Sequence, residues 1–118
     1  MYRSFFTDEA LGNIKKLPKA VRNSLKNEFE KKIHVNPLEC SEPLSGPLEH
    51  FRSFHYRELR VVYQVFDELK AVSVVAVGKK DRHHQSDIYK QLETLVERGK
   101  LAAAVLDSLR SLSSLDKD

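Results

Sequence analysis

Three successive runs of β-branched and aromatic residues in the middle of the chain constrain the fold more than any other feature. They occupy residues 51–56, 59–66 and 71–77. Such residues favour strands, and the segment 67–70 is short enough to close a hairpin between the second run and the third. The pattern therefore predicts three strands, of which at least the last two are antiparallel. We expect Gly78 to end the third.

The chain before these strands predicts one further strand and two helices. Residues 2–6 are short and aromatic-rich, which is typical of a strand. Thr7 can cap a helix that follows, and Pro18 fits the first turn of a second helix but not a helix interior. Apolar residues then recur at four-residue steps from Val21 to Ile33, which predicts an amphipathic second helix.

Proline and glycine interrupt residues 37–47, which predicts an irregular loop before the three strands. After them, Ser86 or Asp87 can cap a helix that Gly99 closes. Residues 100–115 predict one more helix with a single apolar face. That face either packs on the protein's own core or meets a partner or a second copy of the chain.

The order strand, two helices, three strands, helices predicts an α+β domain. We expect a small, mostly antiparallel β-sheet with the two N-terminal helices packed on it, C-terminal helices after the strands, and the helices on one side of the sheet. The length of 118 residues suits one domain. We assign residues 1–99 to this domain and residues 100–118 to a C-terminal helical extension.

Composition excludes several classes of protein at this stage. No run approaches the ~18 apolar residues that a membrane-spanning helix needs, and the first residues lack the apolar centre of a secretory signal. The single cysteine, Cys40, leaves no partner for an internal disulfide and rules out a multi-cysteine zinc site. A cytoplasmic location is the resulting expectation.

Charge is unevenly distributed along the chain. Lysine and arginine number 20 against 17 acidic residues, a net charge of +3. Residues 1–35 and 71–100 carry the basic excess, and residues 36–70 are acidic. This total is too small for strong nonspecific binding to nucleic acid, but a focused basic patch can bind it. The basic residues expected in such a patch on the N-terminal helices are Lys15, Lys16, Lys19, Arg22 and Lys26.

A sequence of short motifs follows the proline-rich loop. A Leu-Ser-Gly turn begins at Leu44, a strand carrying His55 comes next, and Arg60 lies in the Leu-Arg-Val-Val-Tyr segment of the following strand. Val-Gly-Lys-Lys stands at 77–80 and Asp-Ile-Tyr at 87–89. In this order and spacing the motifs resemble those of the RelE/ParE superfamily of bacterial type II toxins.

The resemblance covers about residues 2–97 and implies a compact sheet with two N-terminal helices packed across it. The RelE branch of the superfamily cleaves mRNA on the ribosome, and the ParE branch poisons DNA gyrase. The resemblance implies a toxin whose partners are a cognate antitoxin, the ribosome and mRNA. We expect no cofactor and no interaction with a membrane. Two alternatives stay open: a ParE-like gyrase inhibitor without catalytic activity, and a non-catalytic module that binds RNA or an antitoxin.

Cleaving RNA through its own 2′-hydroxyl requires a base, a cation for the transition state and an acid, but no metal. Strand alternation is expected to place Ser53, His55 and Arg57 on one side of a strand. His55 is the candidate base or acid because imidazole titrates near pH ~6.5. Arg60 is the candidate phosphate clamp because a planar guanidinium can hold two oxygens at once.

Two further positions follow from the resemblance. Lys80 matches the basic position after Val-Gly, and Tyr89 matches the closing tyrosine, which in RelE-like enzymes stacks on or hydrogen-bonds the cleaved nucleotide. Stacking contributes ~1–3 kcal/mol per base. The predicted catalytic residues are His55, Arg60, Lys80 and Tyr89. The basic residues of this part of the chain that are expected to bind RNA are Arg52, Arg57, Lys79 and Arg82.

Each of these residues also has a structural interpretation. Arg60 can be a surface charge or a partner of Glu49 or Glu58, and Tyr89 can pack in the core. His83 and His84 suggest a metal site, but adjacent histidines in a strand point in opposite directions and no third ligand lies nearby in sequence. We therefore expect no metal.

Overall fold

Five strands and four α-helices make up the part of the chain that the structure, a computed structural model, describes, namely residues 1–79 and 88–110. A π-helical turn extends α2, and a 3₁₀ turn precedes β3. The elements in chain order are β1 (Arg3–Phe6), α1 (Asp8–Lys15), α2 (Lys19–Glu28), β2 (Glu42–Pro43), β3 (Arg52–Tyr56), β4 (Leu59–Phe66), β5 (Ala71–Lys79), α3 (Ile88–Glu97) and α4 (Lys100–Ser108).

The strands form one mixed sheet in the order β1-β5-β4-β3-β2. The β2–β3, β3–β4 and β4–β5 pairs are antiparallel, which confirms the predicted hairpin, whereas β1 pairs with β5 in parallel. Residues 71–77 of β5 are all buried because this strand has a neighbour on each side and helices on both faces. The strand continues through Gly78 to Lys79, so the prediction that Gly78 ends it is wrong.

Helices cover both faces of the sheet. On one face, α1 and α2 pack through Ala10, Leu25 and Phe29 against residues such as Val61 and Tyr63 of β4. On the other face, α3 and α4 pack against a second core, described below. The predicted α+β class and the two packed N-terminal helices are confirmed. The expectation of helices on one side only is wrong, because β4 and β5 present apolar side chains in both directions and each set must be covered.

The second core joins the C-terminal helices to the sheet. Leu92 of α3 and Leu101 and Val105 of α4 are buried against Val62 and Val75 of the sheet. Gly99, with φ +67°, provides the left-handed turn between the two helices, which fits its predicted role. The apolar face of α4 therefore packs on the protein's own core, one of the alternatives drawn from the sequence.

Local signals at the N-terminus behave as predicted. The Thr7 hydroxyl accepts a hydrogen bond from the backbone N–H of Ala10 at 3.2 Å and caps α1. Helix α1 ends before Pro18, which precedes the first residue of α2. The segment 37–47, predicted as a loop because of its prolines, contains the short strand β2. This strand pairs with β3, with Glu42 opposite Ser53.

Several predicted features lie outside the described residues, among them the Ser86 or Asp87 cap, the His83-His84 pair and residues 111–115 of the last helix. None of the described helices is long and apolar enough to cross a membrane.

Candidate functional site

A groove of about 330 Å³ on the α3 side of the sheet brings three of the predicted residues together. His55 of β3 and Arg60 of β4 are directly opposite each other in the antiparallel ladder. Such partners project from the same face with Cβ atoms about 4.5–5.5 Å apart. Tyr89, in the first turn of α3, lines the same groove. Residues from three separate elements therefore converge on one surface.

Helix α3 begins next to a glycine on β5. Gly78 is the ladder partner of Arg60 and lies on the groove side. A Cβ at Gly78 would lie 3.4 Å from Cδ1 of Ile88, the first residue of α3, which is an ordinary van der Waals contact. Close packing of Ile88 on Gly78 in turn places the next residue, Tyr89, at the groove.

Backbone carbonyls hold the guanidinium of Arg60 in place. Its Nη1 donates hydrogen bonds to the backbone carbonyls of Arg57 at 3.1 Å and Leu59 at 3.0 Å. Its Nε is buried and has no hydrogen-bond partner within residues 1–79 and 88–110. A buried unsatisfied donor on a cation is costly to the folded state. Glu58, considered as a partner of Arg60 on sequence grounds, lies 3.6 Å from Nζ of Lys79 instead.

Tyr89 is tied to the sheet by a residue that the predicted set omitted. Its phenolic oxygen is 2.8 Å from Oγ of Ser53, a buried serine on β3. Ser53 lies two positions before His55 and therefore shares its face of the strand. Strand alternation identified that shared face, but only the packing of α3 shows that the hydroxyl meets Tyr89.

Two carboxylates also line the groove and were missed. Glu93 lies four residues after Tyr89 on the same helix face, and Glu42 comes from β2. The helical spacing of Tyr89 and Glu93 was a usable signal for the first, whereas the position of Glu42 depends on the unpredicted strand. Among the described lining residues these acids face the single guanidinium of Arg60, so the groove is not uniformly basic.

Arg52 takes a structural role. Its guanidinium donates to Oγ and the carbonyl oxygen of Ser41, at 2.7 and 2.8 Å, and to the carbonyl of Leu38 at 3.0 Å. Tyr63 donates to the carbonyl of Pro37 at 2.7 Å, and burial raises the pKa of this phenol, which keeps it a neutral donor. Both side chains fasten the loop that leads to β2. Arg52 projects from the opposite face of β3 to His55 and does not line the groove.

Arg57 and Lys79 are likewise separate from the groove. Arg57 is a turn residue with φ +54°, not part of β3, and its guanidinium stacks on the Tyr56 ring at 5.2 Å from the centroid. Both cations line a different depression, on the α1 and α2 side, with Leu17 and Pro18. The expectation that Arg57 shares a strand face with His55 is therefore wrong, because the chain turns before it.

The basic residues of the N-terminal helices form their own surface. All are exposed, and they lie on the layer that packs against the opposite face of the sheet from the groove. These residues are Lys15, Lys16, Lys19, Arg22 and Lys26. Lys80 and Arg82 lie outside the described residues. Within the described part of the chain, no cluster of three His, Cys, Asp or Glu side chains could hold a metal ion.

Comparison with known proteins identifies relatives of this chain. The sequence model of the family described as "ParE toxin of type II toxin-antitoxin system, parDE" matches residues 5–84. An Escherichia coli protein described as a RelE-like toxin is 36% identical over 89 residues, covering 75% of this chain and 90% of that protein. The mRNA interferase toxin RelE of Escherichia coli strain K12 is 30% identical over 86 residues, covering 73% of this chain and 87% of RelE.

The fold matches as well. The intact Escherichia coli RelBE toxin–antitoxin complex contains a chain that superposes with a TM-score of 0.59 at 32% identity, covering 70% of this chain and all of that one. A mixed five-stranded sheet with helices on both faces and a groove beside α3 thus defines the class of small α+β toxins of type II toxin–antitoxin systems. The chain belongs to the RelE/ParE toxin superfamily.

Proposed function

We propose that this toxin is a metal-independent endoribonuclease that cleaves mRNA on the ribosome and so inhibits translation. The observation that carries the proposal is the direct opposition of His55 and Arg60 across the β3–β4 ladder, with Tyr89 beside them in one groove. A toxin that only binds its target has no need for a proton-transfer group next to a phosphate clamp. Similarity to the mRNA interferase RelE supports the same reaction.

The residues divide the reaction as follows. Tyr89 stacks on the nucleotide and holds it so that the 2′-oxygen lies in line with the scissile phosphorus. His55 takes the 2′-hydroxyl proton as the 2′-oxygen forms its bond to phosphorus, and the bond to the 5′-oxygen breaks. Arg60 stabilises the additional negative charge on the phosphoryl oxygens through its guanidinium. The products are a 2′,3′-cyclic phosphate and a 5′-hydroxyl, whose proton comes from a general acid.

Basic residues outside the described lining of the groove, and an antitoxin, also belong to the proposal. Lys80 is proposed as a further catalytic cation and Arg82 as an RNA-binding residue. Among the described lining residues of the groove, Glu42 and Glu93 oppose Arg60. The exposed basic residues of α1 and α2 contact ribosomal RNA through its phosphates, which makes binding dependent on salt. An antitoxin neutralises the toxin in the cytoplasm of the producing cell, in keeping with the toxin–antitoxin complex that the fold matches.

The test is cleavage of a defined mRNA in a reconstituted translation reaction, with mapping of the new 3′ ends and of their chemistry. Wild-type protein should produce ends at ribosome-occupied codons that carry a cyclic phosphate. His55→Ala should slow cleavage by about 10²–10⁴-fold. His50→Ala is the matched control, because His50 is exposed and does not line the groove.

A second reaction tests the ParE-like alternative, which the family match itself favours. Purified gyrase and plasmid DNA are incubated with the toxin, and supercoiling and strand breaks are measured. Inhibition of gyrase without mRNA cleavage would replace the proposed function with that of a gyrase poison. Inactivity in both assays would indicate a module that only binds RNA or an antitoxin.

A further inference from the structure

Two buried serines, on β3 and β5 at either side of β4, each reach a hydroxyl on a C-terminal helix. Ser53 of β3 is 1% exposed, and its Oγ lies 2.8 Å from the phenolic oxygen of Tyr89 on α3. Ser73 of β5 is 0% exposed, and its Oγ lies 2.7 Å from Oγ of Ser108 on α4. A serine that is fully removed from water must find a hydrogen-bond partner within the protein, so each pair fixes a helix on the sheet at one point.

Only the first pair touches the groove. Ser53 lies two residues before His55 on the same strand face, and Val62, the ladder partner of Ser53, lies two residues after Arg60. The hydroxyl of Tyr89 is therefore held against β3, beside the strand positions that carry His55 and Arg60. The Tyr89 ring packs against the second core. Since a tyrosine ring turns about two torsions, contacts at the ring and at the hydroxyl together leave it little freedom.

We propose that Ser53 is a positioning residue that anchors the Tyr89 phenol, so that Tyr89 acts as a fixed stacking platform and not as a proton donor or acceptor. The inference rests on the proposed function, in which Tyr89 binds the nucleotide at the cleavage site. In this arrangement the Tyr89 hydroxyl makes its hydrogen bond within the protein, and the face of the Tyr89 ring contacts the RNA base. The acid–base work then falls to other groups of the groove, among them His55.

The first experiment measures the anchor without RNA. The chain has four tyrosines, so protein labelled with 3-fluorotyrosine should give four ¹⁹F resonances, and Tyr89→Phe identifies that of Tyr89 by its loss. Ser53→Ala should shift or broaden the Tyr89 resonance and leave the other three unchanged. Ser53→Thr, which restores a hydroxyl, should return it towards its wild-type position. Ser73→Ala is the matched control and should leave the Tyr89 resonance unchanged.

The second experiment measures cleavage at saturating ribosome concentration. Ser53→Ala should lower the rate by about threefold to tenfold, the effect of one neutral hydrogen bond. Tyr89→Phe should lose the same factor, the double variant should lose no more than either single variant, and Ser53→Thr should recover activity. The pH profile of cleavage should keep its shape in Tyr89→Phe, because the phenol transfers no proton.

An unchanged Tyr89 resonance in Ser53→Ala would overturn the anchor. A Tyr89→Phe loss far larger than that of Ser53→Ala, with an altered pH profile, would overturn the platform and make the phenol an acid or base. If wild-type protein cleaves no mRNA, the proposed function fails and the catalytic part of this inference with it. The ¹⁹F spectra would still decide whether Ser53 positions Tyr89.

Discussion

Replacing Arg60 by methionine separates what this residue does for the fold from what it does for the groove. Its two hydrogen bonds to backbone carbonyls come from a charged donor and contribute about 1.5–3 kcal/mol each to stability. Its buried Nε, without a partner among the described residues, costs about 3 kcal/mol or more because it too belongs to a charged group. These contributions have opposite signs and overlapping size, and methionine retains most of the apolar stem. We therefore expect the free energy of unfolding of Arg60→Met to stay within about 1 kcal/mol of wild type.

Cleavage should respond very differently. Removing one preorganised donor to the transition state lowers a rate by about 10²–10³-fold, equivalent to about 2.7–4 kcal/mol. Unfolding in urea, followed by circular dichroism, measures the first quantity, and mRNA cleavage in reconstituted translation measures the second. Arg98→Met is the matched control, because Arg98 is exposed beyond the end of α3 and away from the groove. It should change neither quantity.

Two results would refute this reasoning. A loss of more than about 2 kcal/mol in stability would mean that Arg60 is a structural residue whose contacts outweigh the cost of its buried Nε. A cleavage rate within threefold of wild type would mean that the guanidinium does not contact the reacting phosphate.

Further predictions concern stability. Burial lowers the pKa of His34, so the folded protein binds a proton at this ring more weakly than the unfolded chain does. The neutral ring therefore contributes its full stability above about pH 6.5, and this contribution is lost as the pH falls below that value. His34→Gln should therefore weaken the fall in urea midpoint between about pH 7.5 and about pH 5, and an identical fall in both proteins would contradict the prediction. Leu92→Ala should cost about 2–5 kcal/mol because this side chain is 1% exposed in the second core. Leu106 on α4 is 71% exposed, so Leu106→Ala should change the free energy of unfolding by no more than about 0.5 kcal/mol. Equal losses of stability in the Leu92 and Leu106 variants would contradict the assignment of Leu92 to the core.

The periodicity of the chain determined most of the secondary structure. The predicted limits of β4, residues 59–66, agree with the structure because its residues alternate between two cores without a break. Thr7, Pro18 and Gly99 marked helix ends correctly because each acts through its own backbone or side chain on adjacent residues. β2 escaped prediction because its two residues owe their conformation to pairing with β3 and not to propensity.

The groove is a mixed case. Alternation in β3 and β4, together with the motifs, was enough to nominate His55 and Arg60, and the structure places them opposite each other. Sequence also nominated Arg52 and Arg57, which the structure places elsewhere, because a side chain's charge is visible in the sequence whereas its contacts and the exact start of a turn are not.

What the sequence determined by itself is the set of local elements and the pairing of neighbours along the chain, since these depend on propensity, alternation and short connections. Tertiary structure alone decided that helices cover both faces, that the basic helices lie opposite the groove, and that Ser53 meets Tyr89. These relations join residues far apart in the chain, and they are fixed by which apolar faces bury each other, a choice that no local pattern records.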